Sequence, residues 1–204
     1  MSVPVQSLKR TTALSIDARM ERKVMGKPVL YLAIGLPGSG KSTYFSKIPD
    51  LHVVCGDAIR AEFFGDAGIQ ISDDYLTAHG YDVSSMDQSE KQNLCNRFVW
   101  SEAKERALHL LKEGINVGYD GIHLTRKNRS RVINDFSPYA LIHGLYFDTP
   151  LEVSIARDRS RTRQLGEAVI RRLSCSLEIP ALEEGFDCIE TIDESGQRVS
   201  LLRR

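Results

Sequence analysis

The chain has 204 residues, 42% of them hydrophobic, enough for one domain of ordinary size with a substantial core. Its 27 Lys and Arg balance 27 Asp and Glu, which excludes a surface coated in basic residues for nucleic acid. No apolar run has the length of a membrane span or signal peptide, and Cys55, Cys95, Cys175 and Cys188 lack C-x-x-C spacing, so a soluble intracellular protein with reduced, mostly buried thiols is expected.

Residues 1–27 are polar and mixed, with Lys9, Arg10, Arg19, Arg22 and Lys23 among scattered apolar positions. They read as an arm outside the core, with a helix over Ser15–Met25 as one option. Residues 28–204 read as the folded domain.

Val29–Ile34 is a short apolar run between Pro28 and Gly35, the pattern of a strand buried on both faces. It leads into Gly35-Leu36-Pro37-Gly38-Ser39-Gly40-Lys41-Ser42-Thr43, which fits G-x-x-x-x-G-K-[ST] at every fixed position. A helix is expected from Ser42 to Lys47, stopping before Pro49. Glycines at 35, 38 and 40 allow a turn tight enough for consecutive N–H groups to face a phosphate, with Pro37, Ser39 and Thr43 completing the loop. Lys41 supplies a full positive charge for the outer phosphates of ATP, and the Ser42 hydroxyl is placed to hold Mg²⁺.

Leu51–Cys55 reads as a second strand, followed by Gly56-Asp57-Ala58-Ile59-Arg60. Residues just past strand ends line the ligand crevice of open parallel sheets. Asp57 is placed either to take the proton of an attacking hydroxyl or to cap a helix over Ala58–Phe64. Arg60, one turn on, either holds an anion on the acceptor or is simply exposed.

Residues 61–88 read as a loop-rich acidic insertion able to cover the acceptor side. From Ala61 to Glu90 there are seven acidic residues (Glu62, Asp66, Asp73, Asp74, Asp82, Asp87, Glu90) and no Lys or Arg. Asp87 and Glu90 have capping-box spacing for a long helix with the stripe Leu94, Phe98, Val99, Ala103, Ala107, Leu110, Leu111, ended by Gly114. Trp100 and His109 on it read as ordinary packing or surface residues.

Ile115–Tyr119 is a third strand with Asp120 at its carboxyl end, where an acid can reach Mg²⁺ directly or through water. Thr125 opens a helix through about Phe136 whose Arg126, Lys127, Arg129 and Arg131 form a basic face, either solvated or facing a polyanion. Ala140–Phe147 is a fourth strand.

Thr149-Pro150-Leu151-Glu152 reads as a helix start with Thr149 as cap. Arg157 and Arg161 are spaced to share one face of that helix, and Arg159 and Arg163 another; residues 157–166 read either as an arginine-rich lid whose mutual repulsion a phosphate would relieve, or as a solvated face with Asp158 and Glu152 as partial counter-charges. A helix over Glu167–Glu178 should bury Ala168, Val169, Leu173 and Leu177. Phe186–Ile192 is a fifth strand, and after the turn Asp193–Gly196 the segment Val199–Leu202 is a candidate edge strand. Strands alternating with helices imply a mostly parallel sheet covered on both faces.

From Val29 to Ile192 the chain resembles the P-loop kinases typified by phage polynucleotide 5′-hydroxyl kinase. The resemblance rests on Gly35–Thr43, on Asp57-x-x-Arg60, and on Asp120 with Leu124-Thr125-Arg126-Lys127-Asn128-Arg129. Phe147-Asp148-Thr149-Pro150, Arg157, Arg161 and the run Ala181–Asp187 add to it. It implies a three-layer α/β P-loop kinase sandwich with a mostly parallel five-stranded sheet. It also implies an ATP- and Mg²⁺-dependent phosphotransferase with a hydroxyl acceptor. In that scheme Lys41 and Ser42 hold phosphates and Mg²⁺, Asp57 is the general base, Arg60 steadies a phosphate of the acceptor, and Arg157 and Arg161 stabilise the transferring group. Relatives often carry Asp-Ala-Thr-Asn after the third strand, where this chain has Asp120-Gly121-Ile122-His123. A nucleic-acid 5′-hydroxyl is one acceptor; a hydroxymethylated base or a small molecule such as a nucleoside, sugar or antibiotic, as for zeta-toxin-like kinases, is another. A nucleotide switch without an acceptor is the third reading, which the Asp57/Arg60 pair disfavours.

Overall fold

The structure is a computed structural model that describes residues 26–64, 73–78 and 80–204. The expected helix at Ser15–Met25, nearly all of the N-terminal arm, and Asp66 of the acidic insertion lie outside the described residues.

The apolar run at the start of the domain becomes β1 (Val29–Ile34), with all six residues buried. It is central because both its neighbours are parallel strands: β3 (Val117–Asp120) on one side, with Leu30 opposite Val117, and β4 (Leu141–Phe147) on the other, with Ile34 opposite Tyr146. β2 (His52–Cys55) lies outside β3, and β5 (Cys188–Ile192) outside β4. The sheet order is β2-β3-β1-β4-β5-β6, so the expected five strands become six. The extra strand, β6 (Arg198–Arg203), pairs antiparallel with β5. The tight Asp193–Gly196 turn, in which the Asp193 carboxylate accepts from the N–H of Ser195 and Gln197, folds it back onto β5.

Successive residues of β1 point to opposite faces of the sheet, and each face has its own cover. Leu30, Leu32 and Ile34 pack with Leu94, Val99 and Ala103 of the long helix α4 (Gln88–Lys112) and with Ile133 and Phe136 of α5 (Arg126–Phe136). Tyr31 and Ala33 pack on the other face with Tyr44 and Phe45 of α1 (Lys41–Phe45). This is the three-layer sandwich expected. Among the described residues no helix is long and apolar enough to cross a membrane.

Several local signals act as read. Asp87 accepts from the Glu90 N–H while Glu90 accepts from the Asp87 N–H, closing the capping box of α4. Thr125 caps α5 through the Asn128 N–H. Other expectations need correcting. The loop-rich insertion takes in the end of α2 (Gly56–Phe64), and a short helix, α3 (Asp73–Ala78), which the sequence pattern does not announce, lies inside it. Phe63 and Phe64 anchor α2 by edge contacts on Phe98 of α4. The next helix, α6 (Leu151–Arg159), begins after Pro150, and Thr149 does not cap it. Arg161 and Arg163 lie beyond its end, so the two arginine pairs do not share helix faces. α7 (Glu167–Ser174) stops before Glu178, and Ile170 is its buried residue while Ala168 is exposed.

Arg129 is the largest departure. Placed by sequence on a basic face, it is fully buried and forms a bidentate pair with Glu184, both N–O distances being 2.7 Å. The helix face toward the core turns out to need a cation, because the carbonyls of His123, Leu124 and Glu178 converge there as acceptors.

Candidate active site

The chain leaves β1 toward β2 on one side and, after β3, crosses to β4 on the other. The carboxyl end of β1 is therefore a topological switch point, where open α/β sheets bind ligands. A cleft of about 760 Å³ opens there. Pro37 to Thr43, Asp57, Arg60, Asp120, Arg157 and Arg161 all line it. Of the sequence-predicted site residues only Gly35 lies outside the lining. A Cβ at Gly35 would sit 3.0 Å from both Phe147 Cβ and Ser39 Oγ, so this glycine lets the loop pass against β4.

The loop's shape is held from two sides. Gly38 has φ +80°, and a Cβ there would lie 2.5 Å from the Ser154 carbonyl oxygen of α6; only glycine satisfies both the torsion and the approach. Thr149 donates through Oγ1 to the Ser39 carbonyl at 3.1 Å, which is why it is unavailable as a helix cap. Arg157 donates to Gly38 O at 3.3 Å and to Glu194 O at 2.6 Å, tying the loop to the β5–β6 turn.

Lys41 is 8% exposed, and its ammonium donates to the carbonyls of Gly35 and Leu36 at 3.0 and 2.6 Å. Burial pushes it down to about 8, an effect that Asp120 and Asp57 oppose and Arg161 reinforces. A buried cation held by neutral oxygens fits a phosphate, which would restore the charge balance. The Ser42 hydroxyl donates to Asp120 Oδ2 at 2.8 Å, so a hydroxyl from the first turn of α1 and a carboxylate from the end of β3 converge. Burial holds the Asp120 carboxyl above its ordinary range, and the Ser42 hydrogen bond and Lys41 pull the other way. These two hard oxygens fit Mg²⁺, which commonly takes only one or two protein ligands and completes its shell with phosphates and water.

The remaining side chains divide by strand. Asp57, in the first turn of α2, is exposed to the cleft past β2; it lies inside the helix instead of at its N-cap. Arg60 is half-buried, and among the described residues its partners are neutral, Cys95 Sγ at 3.1 Å and Asn96 Oδ1 at 2.9 Å. Past β4, on the other flank of β1, stands the segment from Arg157 to Gly166. Buried Asp158 accepts from the N–H groups of Leu165 and Gly166 and so shapes this segment. Arg159 pairs with Glu167, whereas the guanidinium groups of Arg161 and Arg163 face the cleft with no carboxylate partner among the described residues.

Trp100 is the site residue that sequence reasoning missed. It lines the cleft at 37% exposure, as does Ile122 at the same exposure. Its indole lies against Gly56 and Gly121, which follow β2 and β3. A lone tryptophan beside the apolar stripe of a helix gives no signal of this.

Comparison with known proteins bears on the family and the fold. Residues 30–180 match the AAA_33 family, described as an AAA domain. Over 170 residues the chain is 27% identical to transcription factor bHLH140 of Arabidopsis thaliana, covering 80% of this chain and 16% of that protein. A chain of the Pnkp1/Rnl/Hen1 RNA repair complex is similar in structure, with a TM-score of 0.56 and 23% identity over 74% of this chain and 44% of that one. A gluconokinase from Sinorhizobium meliloti has a TM-score of 0.50 and 17% identity over 82% and 83% of the two chains. The chain thus spans under half the length of the first two. The structural likenesses, all under 25% identical, speak to the fold alone, and it is the match over residues 30–180 that places the chain in the AAA_33 family of AAA domains.

Proposed function

We propose that this chain transfers the γ-phosphate of ATP to a hydroxyl group, the 5′-hydroxyl of a nucleic-acid strand. The observation that carries the reading is the division of one cleft. Asp57 and Arg60 lie past β2 on one flank of the phosphate-binding loop, and the cationic segment with Arg161 lies past β4 on the other. A nucleotide switch has no use for a carboxylate and an arginine on a second wall; an acceptor does.

In this reading Lys41 turns from the Gly35 and Leu36 carbonyls to the outer phosphate oxygens. Mg²⁺ at Ser42 and Asp120 would neutralise charge on those oxygens. The acceptor hydroxyl gives its proton to the Asp57 carboxylate as its oxygen bonds to the γ-phosphorus, the bond to the β,γ-bridging oxygen breaks, and ADP leaves. Arg161 stabilises the charge on the moving group, and Arg60 holds a phosphate of the acceptor strand. Phosphoryl transfer needs this positioning and charge neutralisation more than covalent help.

The acidic insertion is less hostile to a strand than its composition suggests. Glu62 is paired bidentately with Arg106 and Asp73 with Lys91, while Asp87 and Glu90 are engaged in the α4 cap.

The test is transfer of label from γ-labelled ATP with Mg²⁺ to 5′-hydroxyl DNA and RNA oligonucleotides, with 5′-phosphorylated and base-hydroxymethylated strands and small polyols alongside. Label confined to 5′-hydroxyl ends is the expected result. Label only on hydroxymethylated bases or only on small molecules overturns the acceptor, and no label at all overturns the kinase.

A further inference from the structure

We infer that Trp100 and Ile122 form a stacking subsite for the base of the acceptor's terminal nucleoside, next to Arg60 and Asp57. The inference rests on the proposed kinase reading and adds how the acceptor is recognised.

Three observations converge. First, the indole is seated in a space made for it. A Cβ at Gly56 would lie 3.2 Å from Trp100 Cη2, and one at Gly121 only 2.9 Å from it and 2.6 Å from His123 Nε2. An alanine at 121 would therefore unseat the ring. Second, the seat is aromatic and uncharged. The His123 ring stacks on Tyr119 with centroids 5.6 Å apart and meets the indole edge-on at 5.7 Å. Burial pushes its imidazole down to about 3, so it stays neutral. Third, the surface left open is apolar and lies on the acceptor flank. Trp100 and Ile122 remain partly exposed in the cleft that Asp57 and Arg60 also line, and these two residues follow Gly56, the glycine under the indole, by one and four positions on α2.

A planar apolar ligand group that must sit beside both a proton acceptor and a guanidinium is a nucleobase whose own sugar carries the reacting hydroxyl and whose next phosphate meets Arg60. Polyols need a ring of hydrogen-bonding groups, which this wall does not present. Stacking on an indole is tolerant of base identity, so the subsite confers recognition of a nucleoside without a sequence preference.

Trp100 is the sole tryptophan of the chain, so its emission reports on this subsite alone. The experiment titrates the wild-type protein with four probes: a 5′-hydroxyl oligonucleotide, the same strand with an abasic 5′-terminal sugar, a free nucleoside, and ATP alone. Label transfer is measured in parallel. Saturable quenching by the oligonucleotide but not by its abasic counterpart is expected, and comparable affinity for the free nucleoside would identify a nucleoside as the source of the base. Trp100→Leu, which fills the seat without an aromatic face, should raise KM for the oligonucleotide roughly tenfold and leave KM for ATP unchanged. Equal transfer to base-bearing and abasic ends overturns the subsite and leaves the kinase reading standing. Equal quenching by ATP alone puts the donor's adenine on Trp100 and likewise overturns it. Base-dependent quenching without transfer supports the subsite and overturns the kinase; neither signal overturns both.

Discussion

Ser42 and Asp120, 78 residues apart in sequence, meet through a 2.8 Å hydrogen bond that joins the phosphate-binding loop to the end of β3. The pair is what would present Mg²⁺ with two oxygens at once, and a hydroxyl that donates to a carboxylate is oriented before any ion arrives. Asp120→Asn keeps the shape and removes the negative charge. It should raise the Mg²⁺ concentration for half-maximal transfer by roughly 10–100-fold while the folded structure persists. An unchanged Mg²⁺ dependence at unchanged rate would remove Asp120 from the metal site.

Asp57 and Arg161 stand on opposite flanks of the loop, and their loss should show in different ways. Asp57→Asn should leave ATP binding intact and slow transfer by roughly a hundredfold or more, as for loss of a general base. Arg161→Ala should lower kcat more than it weakens ATP binding, because its guanidinium has no carboxylate partner among the described residues and is open to charge that develops in the reaction. The two separate in single-turnover kinetics against ATP affinity measured by titration. A wild-type rate for the Asp57 variant, or loss of ATP affinity alone for the Arg161 variant, would reassign the residue.

The features legible in the sequence are those whose cause is local. Six consecutive apolar residues announce β1, Asp87 with Glu90 announces the start of α4, and the glycine and lysine spacing announces the loop. The cleft residues were legible because strand ends converge at a switch point, which brings Asp57, Arg60, Asp120 and Arg157 to one place. What stayed hidden depends on partners remote in sequence. Arg129 looks like any charge between exposed Arg126 and Arg131 until Glu184, 55 residues on, is found beside it. Thr149 has the form of a cap and serves the Ser39 carbonyl, 110 residues earlier. Trp100 matters only because Gly56 and Gly121, just past the ends of β2 and β3, leave room for its ring.

Arg129 and Glu184 are both essentially buried, at 0% and 2% side-chain exposure, so each needs the other. Removing one partner strands the remaining charge in the interior. Glu184→Ala should cost about 3–5 kcal/mol in urea unfolding. The double change Arg129→Met with Glu184→Leu should cost clearly less, since no charge is left buried. The double change still has a cost, because it removes the donor to the carbonyls of His123, Leu124 and Glu178. A single variant as stable as wild type would show that water reaches the pair.

The underside of the loop carries a second buried ion pair with a pH signature. His143 of β4 lies 3.4 Å from Glu190 of β5, and Glu190 also meets Arg198 of β6 and the hydroxyl of Tyr44, the residue after Thr43. Burial lowers the affinity of His143 for its proton, but Cys188 and Glu190 raise it and prevail, lifting its pKa from 6.5 to about 9. Between these values the folded chain binds a proton that the unfolded chain has released, so stability falls as pH rises through this window. The contribution is complete below about pH 6.5 and gone above about pH 9. Lys41, shifted downward to about 8, acts with the opposite sign at higher pH, and it is common to wild type and to a His143 variant. The difference between the two proteins therefore isolates the imidazole. Urea midpoints should decline from pH 6.5 to 9 in wild type relative to His143→Gln, whose stability should be flatter over that range. Parallel curves would mean that His143 is neutral in the folded protein, and that Arg198 alone balances Glu190 beneath the loop.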